Sequence, residues 1–364
     1  MSMALRLAAK GLYTTDPNPR VGCVIVKNQQ IIGQGWHERA GGPHAEIHAL
    51  QQAADKAQDA TVYVTLEPCS HHGKTPPCAD ALINAKVGRV VAAMQDPNPL
   101  VAGEGLRKLE AAGIPVQHGV LQNQAEALNP GFIQRMAHKR PYVRCKLAMS
   151  VDGRTAMANG ESQWITDEDA RRDVHRLRAR SSAILTGINT VLADDPSLNA
   201  RFDNLKDDDI VQPTRVVVDS QLRMPVEAKM LSLPGCTVIA AANPDERKMQ
   251  SLRQHGADIV IIDENAGRVD LAGLLRVLAE RQINEVLVEA GPTLNGGLLQ
   301  QNLVDELILY MAPCIMGDAA RGLFTLPGLE HMHERIELSI NDIRAVGRDW
   351  RISASVKKRD ASTQ

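Results

Sequence analysis

His44, Cys69 and Cys78 offer one imidazole nitrogen and two sulfurs, a donor set suited to zinc. Three protein ligands leave a tetrahedral ion one open corner, and that separates a catalytic site from a closed structural one. A water in the open corner falls from a pKa of ~15.7 to about 7, so a nucleophile exists at neutral pH. Glu46 follows the histidine by two positions and is placed to carry protons rather than to ligate. The surrounding stretch reads PHAEIHAL, then TLEPCSHHGKTPPC. A closed site would need a fourth protein donor, and His71 or His72, between the two cysteines, is the residue that would supply it. His48 has the plainer reading of a polar or core histidine, because the ligand count is complete without it. Cys23 lies in an apolar run and reads as a small core residue.

The elements around these residues must bring them together. MSMALRLAAKGLYTT reads as an amphipathic helix, not as a cleaved leader. The DPNP at 16–19 is a turn that feeds an apolar strand, Val21 to Val26. Lys27 to Gln30 turn the chain and IIGQGWH returns, giving a hairpin. GGPHAEIHALQQAADK then starts a helix behind glycine and proline, so His44 and Glu46 are expected on its first turn. Thr61 to Leu66 is a buried strand, Cys69 lies just beyond it, and Cys78 opens the helix CADALINA. Helix N-termini favour thiolate. VGRVVAAM is a further strand, and DPNPLVAGEGLRKLEAAGIPVQHG continues with helix and strand. This alternation predicts an α/β domain with strands covered on both faces.

AEALNPGFIQRMAHKRPYV carries a helix into a basic, proline-terminated stretch, and a boundary is expected near Arg140. The second half has no second zinc pattern. It reads as strand YVRCKLAMS, helix DEDARRDVHRLRARS with acids in its first turn, strands TRVVVDS, TVIAAA and ADIVII, and helix LAGLLRVLAERQ. Strand EVLVEAG, a glycine-rich turn, a helix and the strand VDELILYMAP follow. G-x-G-x-x-G is absent, but Gly291, Gly296 and Gly297 open a helix whose backbone N–H groups suit a phosphate. A plain helix start explains the same glycines.

A chain of 364 residues is comfortable for two domains. Lysine plus arginine (41) nearly cancels aspartate plus glutamate (43), which gives no long-range pull toward nucleic acid or an anionic membrane. No apolar run nears the roughly 18 residues of a membrane span. Six cysteines in so long a chain do not make a disulfide framework, and a reducing cytoplasm is the expected compartment.

His-x-Glu followed by Pro-Cys is the signature of zinc deaminases, in which two residues separate the cysteines. Here eight residues, SHHGKTPP, separate Cys69 from Cys78. With that insert the chain resembles, over nearly its whole length, the bifunctional deaminase/reductase family of riboflavin biosynthesis. The resemblance implies a cytidine-deaminase-like three-layer α/β/α domain over 1–139. It implies a dihydrofolate-reductase-like α/β domain over 140–364. The first would hydrolytically deaminate 2,5-diamino-6-(5-phosphoribosylamino)pyrimidin-4-one with zinc and Glu46. The second would reduce the ribose of the product with NADPH. Positional match places Asn18, His37, His71 and Lys74 at the deaminase substrate. A lysine after glycine in a turn suits a phosphate, although a solvated loop charge is the plainer reading of Lys74.

In the second half KLAMSVDGRTA, SQWIT, TGINTVLADDPSL, VVDS and VEAGPTLNGGLL resemble the family's reductase half. The resemblance implies Ala148, Trp164, Thr190, Asp194 and Ser220 at NADPH. Gly291, Pro292, Thr293, Leu294, Asn295, Gly296 and Gly297 would surround its phosphates. Lys146, Ser162, Arg178, Leu198, Arg201 and Glu289 are implied at the substrate. Ala290 departs from the family, where a second glycine is common. Trp164 has the alternative reading of a core anchor, Arg178 that of an exposed helical charge, and Asp194 that of a turn residue.

The expected partner is a small phosphoribosyl-pyrimidine, with no nucleic acid and no membrane; a homo-oligomer stays open. A nucleic-acid base editor would want aromatic stacking faces and basic grooves, and aromatic content is 3%. A zinc-stabilised scaffold without catalysis is the remaining rival.

Overall fold

A computed structural model describes residues 1–71, 76–99, 101–202 and 210–357 of the chain. Chain packing divides it into two units, Met1–Arg140 and Pro141–Gln364.

In the first unit five strands form one sheet: β1 (Gly22–Lys27), β2 (Gln30–Trp36), β3 (Thr61–Val64), β4 (Arg89–Ala92) and β5 (Val116–Gln117). Their spatial order is β2-β1-β3-β4-β5. β1 runs antiparallel to β2 and β3, and β3, β4 and β5 are parallel. The helices are α1 (Ser2–Ala8), α2 (Ala45–Ala53), α3 (Cys78–Asn84), α4 (Glu104–Ala111), α5 (Gln122–Leu128) and α6 (Pro130–His138). Cys23, Val62, Val64 and Val90 are fully buried between them, and Cys23 is the small core residue its apolar run implies.

Ala45, Ala49 and Ala53 repeat every four positions and give α2 one small, buried face. That face lies directly on β2. A Cβ on Gly35 would meet the Ala45 carbonyl oxygen at 2.6 Å and the Ala49 nitrogen at 2.9 Å. Only a glycine lets the helix approach this closely, and the approach sets where the start of α2 stands. His44 is the N-cap of α2, with an extended backbone (φ −75°, ψ 164°). It therefore precedes the first turn, on which the sequence had placed it, while Glu46 is on that turn.

The second unit is built on a nine-stranded sheet. Its strands are β6 (Tyr142–Ser150), β7 (Arg154–Ala156), β8 (Ala183–Gly187), β9 (Thr214–Val218), β10 (Thr237–Ala241), β11 (Ala257–Ile261), β12 (Glu264–Asn265), β13 (Arg268–Val269), β14 (Glu285–Val288), β15 (Glu306–Ala312), β16 (Arg321–Gly322), β17 (Leu338–Val346) and β18 (Asp349–Val356). The large sheet has the order β11-β10-β9-β8-β14-β6-β15-β18-β17, and β12-β13 and β16-β7 are two-stranded pairs. β11 through β15 in that order are parallel, and only the β15-β18-β17 edge is antiparallel. Parallel strands buried on both faces read as unbroken apolar runs, and TRVVV and TVIAA are such runs. The helices are α7 (Glu168–Arg180), α8 (Ile188–Asp194), α9 (Lys229–Ser232), α10 (Glu246–Gln254), α11 (Leu271–Glu280) and α12 (Pro292–Gln300). Asp167 caps α7 by accepting from the Glu168 N–H at 2.7 Å. No helix among the described residues is long and apolar enough to cross a membrane.

Replacing Gly35 by alanine forces α2 off β2. Overpacking of this kind costs about 1–3 kcal/mol, so the unfolding midpoint of the first unit is expected to fall in denaturant while that of the second holds. An unchanged first transition would mean that the helix does not depend on this approach.

Candidate functional site

Three separate elements deliver the metal donors. His44 stands at the start of α2, Cys69 in the loop after β3, and Cys78 at the first position of α3. His44 Nδ1 lies 3.6 Å from Cys69 Sγ and 3.3 Å from Cys78 Sγ, and all three donor atoms fall within 4.8 Å of one another. Tetrahedral zinc with ordinary Zn–S and Zn–N bonds separates its sulfur and nitrogen ligands by about 3.5 Å, so the set fits this ion. The Cys78 backbone N–H donates to Cys69 Sγ at 3.3 Å. Cys78 and His44 beside it hold the Cys69 thiol below its ordinary range, while Cys69 and burial push Cys78 up. Binding of a cation here would displace the protons that the sulfurs carry.

Among the described residues the cluster has three protein donors. His71 is exposed and outside it, while His72 lies outside the described residues. Glu46 is also not a donor. It is buried, with its carboxyl pushed up to about 7 by burial against the opposing pull of His44. A carboxyl poised there can take and return protons near neutral pH.

Asn18 and His37 meet beside this cluster. The Asn18 amide donates to His37 Nε2 at 3.0 Å, and His37 Nδ1 reaches the Pro43 carbonyl at 3.0 Å. A carbonyl only accepts, so Nδ1 carries the hydrogen and Nε2 is the acceptor. Burial lowers the His37 pKa and keeps this neutral form. The His37 and His44 rings stand edge to face at 5.5 Å. Lys74 lies outside the described residues.

Two carboxylates escape the sequence reading. Glu67, two residues before Cys69, is buried. It accepts from the Asp96, Gly103 and Gly105 N–H groups at 3.0, 2.9 and 2.8 Å. It thereby ties the loop that carries Cys69 to the start of α4. Asp96 accepts from the Asn98 N–H at 2.8 Å, and burial raises its pKa. The recurrence of DPNP at 16–19 and 96–99 was the available signal for Asp96; Glu67 had none.

The second unit holds a cavity of about 1280 Å³ along the carboxyl ends of β6, β14, β8 and β9. Glu289 lines it with a largely buried side chain. Arg178 grips both carboxylate oxygens, Nε to Oε1 at 2.6 Å and Nη2 to Oε2 at 3.0 Å, and Lys146 Nζ stands 3.2 Å from Oε2. Burial would raise this carboxyl, but Arg178 and Lys146 override it and hold Glu289 well below the usual range. Arg178 is therefore a paired, mostly buried group and not an exposed helical charge.

Ser162, Leu198 and Arg201 line the same cavity, as do Ala148, Trp164, Thr190, Asp194 and Ser220. Trp164 is 70% exposed, which excludes a core anchor, and Arg171 lies over its ring at 4.7 Å. Gly291, Pro292, Thr293, Leu294 and Gly297 face the cavity; Asn295 and Gly296 do not. The helical turn carries those two to the opposite side of α12. There the Asn295 amide donates to the Ala290 carbonyl at 2.9 Å, and a Cβ on Gly296 would collide with the Thr325 carbonyl oxygen at 2.0 Å. His175 is another residue without a sequence signal. It accepts the Arg201 N–H at 3.2 Å, and burial together with Arg178 and Arg201 holds it down to about 4, hence neutral.

Comparison with known proteins agrees with both halves. Residues 1–94 match the cytidine and deoxycytidylate deaminase zinc-binding region, and residues 141–352 match the RibD C-terminal domain. The chain is 53% identical over 358 residues to the riboflavin biosynthesis protein RibD of Escherichia coli K12, covering 96% of each chain. It is 49% identical to that of Haemophilus influenzae, covering 98% of this chain and 96% of the relative. Among solved structures, Acinetobacter baumannii RibD superposes with a TM-score of 0.92 at 45% identity, over 98% of both chains. A diaminohydroxyphosphoribosylaminopyrimidine deaminase/5-amino-6-(5-phosphoribosylamino)uracil reductase from Thermotoga maritima gives 0.84 at 32% identity, over 98% of this chain and 97% of that one. A zinc-donor cluster in one half, a charged cavity in the other and near-full-length identity to these relatives show that the chain belongs to the RibD family of riboflavin biosynthesis proteins.

Proposed function

We propose that Met1–Arg140 deaminates 2,5-diamino-6-(5-phosphoribosylamino)pyrimidin-4-one and that Pro141–Gln364 reduces the ribose of the resulting 5-amino-6-(5-phosphoribosylamino)uracil to the ribitylamino product. The chain is a bifunctional riboflavin biosynthesis enzyme, a zinc-dependent deaminase joined to an NADPH-dependent reductase. The reading is carried by one observation: His44, Cys69 and Cys78 donors within 4.8 Å of one another, with the buried Glu46 beside them.

Bound zinc supplies a Lewis acid that makes water nucleophilic near neutral pH. With the ion bound, Glu46 would take one proton from the attacking water and deliver it to the ring nitrogen, then take the second from the adduct's hydroxyl and pass it to the departing amine. Water adds to the amino-bearing carbon, ammonia leaves, and a carbonyl oxygen stands where the amino group was. The neutral His37 fixes the Asn18 amide for contact with the pyrimidine. His71 and Lys74 take the ribose phosphate, a role the charge of Lys74 supports.

NADPH supplies the hydride in the second step. The ribosylamine opens to an imine, C1 of the sugar accepts the hydride, and the nitrogen accepts a proton. Lys146 and Arg178, fixed by Glu289, present positive charge where the opened sugar lies. Ser162, Leu198 and Arg201 bind the rest of this substrate, and Ala148, Trp164, Thr190, Asp194, Ser220 and the Gly291 turn hold the cofactor. A cytoplasmic setting accords with six unpaired cysteines, two of them needed as thiolates.

Glu46→Gln is expected to keep its zinc and lose deamination by about 10²–10⁴-fold, with ribose reduction intact; wild-type ammonia release would remove Glu46 from the chemistry. Stripping zinc with a chelator should stop deamination while the second half still reduces added deaminated substrate. Loss of folded structure on chelation would instead favour a zinc-stabilised scaffold. Arg201→Ala should raise KM for the reductase substrate by about tenfold with kcat little changed, as loss of uniform phosphate binding requires; unchanged kinetics would exclude the residue from the site.

A further inference from the structure

The reductase cavity crosses the ends of four neighbouring strands in the order β9-β8-β14-β6. Neighbouring strands lie about 4.8 Å apart, so its two ends are separated by about 14 Å. The β14-β6 end holds Glu289, Arg178 and Lys146, where both cations are ion-paired with the one carboxylate. An extended dinucleotide whose nicotinamide meets substrate there must lay its adenosine toward β9.

The β9 end is built differently. After β9 the chain turns sharply: Asp219 accepts the Met224 N–H at 2.8 Å, and Arg223 is thrown outward between two buried neighbours. The Arg223 guanidinium donates to Asn189 Oδ1 at 2.8 Å, a neutral acceptor that fixes its position without cancelling its charge. Ser220 Oγ accepts the Val269 N–H at 3.1 Å and so pins the β12–β13 hairpin against this turn. The hairpin brings Arg268 to the same end of the cavity. Neither arginine has an ion-pair partner among the described residues. One guanidinium fixed by a neutral acceptor, and a second carried by a hairpin pinned through its backbone, at the far end of a dinucleotide cavity form a receptor for a dianion.

We propose that Arg223 and Arg268 hold the 2′-phosphate of NADPH and are the residues that set its preference over NADH. The assignment rests on the reductase reading of this half. Arg223 supplies the fixed fork, with Asn189 as its support, and Arg268 closes on the phosphate from the hairpin that Ser220 holds.

The test is equilibrium binding to the full-length protein, with adenosine 2′,5′-bisphosphate and 5′-AMP as probes and NADPH and NADH alongside. Arg223→Gln, Arg268→Ala and the double variant are compared with wild type by calorimetry. Wild type is expected to favour the 2′-phosphorylated member of each pair, and each single variant to reduce that ratio by about tenfold, the scale of one lost charge-assisted pair. Arg223→Lys, which keeps the charge but not the fork, should lose less than Arg223→Gln. Variants that weaken both members of a pair equally, or leave the ratio unchanged, would overturn the proposal. So would a wild type that binds NADPH and NADH with equal affinity, a result that leaves the reductase reading standing. A wild type that binds neither dinucleotide would sink the reductase reading itself, and the proposal with it.

Discussion

The convergence of one imidazole and two sulfurs on a single point is the constraint that the first unit exists to satisfy. Each donor comes from a different element, so the site holds its shape only if α2, the loop after β3 and α3 keep their places together. Small residues make this possible at one side, where α2 lies against Gly35 of β2. A buried carboxylate does it at the other, where Glu67 ties the Cys69 loop to the start of α4. Nothing in either device is chemical in purpose. Both set the positions of atoms that are.

The second unit solves a different electrostatic problem. Glu289 is a buried carboxylate, and burial alone would neutralise it. Arg178 and Lys146 keep it ionised, and in return it keeps two cations fixed inside a cavity that must receive a phosphorylated sugar. Removing one partner of such a buried set leaves the others uncompensated, which costs far more than the set contributes over an apolar alternative. The geometry is therefore stiff around Glu289, whereas Arg223 and Arg268, at the β9 end of the cavity, are exposed, the first held by an amide oxygen and the second carried by a hairpin pinned through the Val269 N–H.

Much of this was legible in the sequence, and the reasons are physical. TVYV, TRVVV and TVIAA are apolar runs that can only be buried strands, and they appear as β3, β9 and β10. The metal donors were readable because three ligands, one histidine and two cysteines, with a glutamate two places after the histidine and a proline before one cysteine, rarely have another explanation. Glu67 was not readable, because a carboxylate that accepts backbone N–H groups from a distant loop leaves no local pattern. The β17–β18 hairpin was not read, although Leu338 and Ile340, Ile343 and Ala345, and Trp350, Ile352, Ala354 and Val356 alternate with polar residues as a strand pair does. The resemblance places Gly291 to Gly297 around the cofactor phosphates; Asn295 and Gly296 do not line the cavity, because a helix turns neighbouring residues to different sides.

The most direct examination of the metal centre is X-ray absorption at the zinc edge of the purified, metal-loaded protein. The expected spectrum has two sulfurs at about 2.3 Å and a lighter shell near 2.0 Å that contains a single imidazole and a non-protein oxygen. A second imidazole or a carboxylate completing the shell would close the coordination sphere and contradict the account.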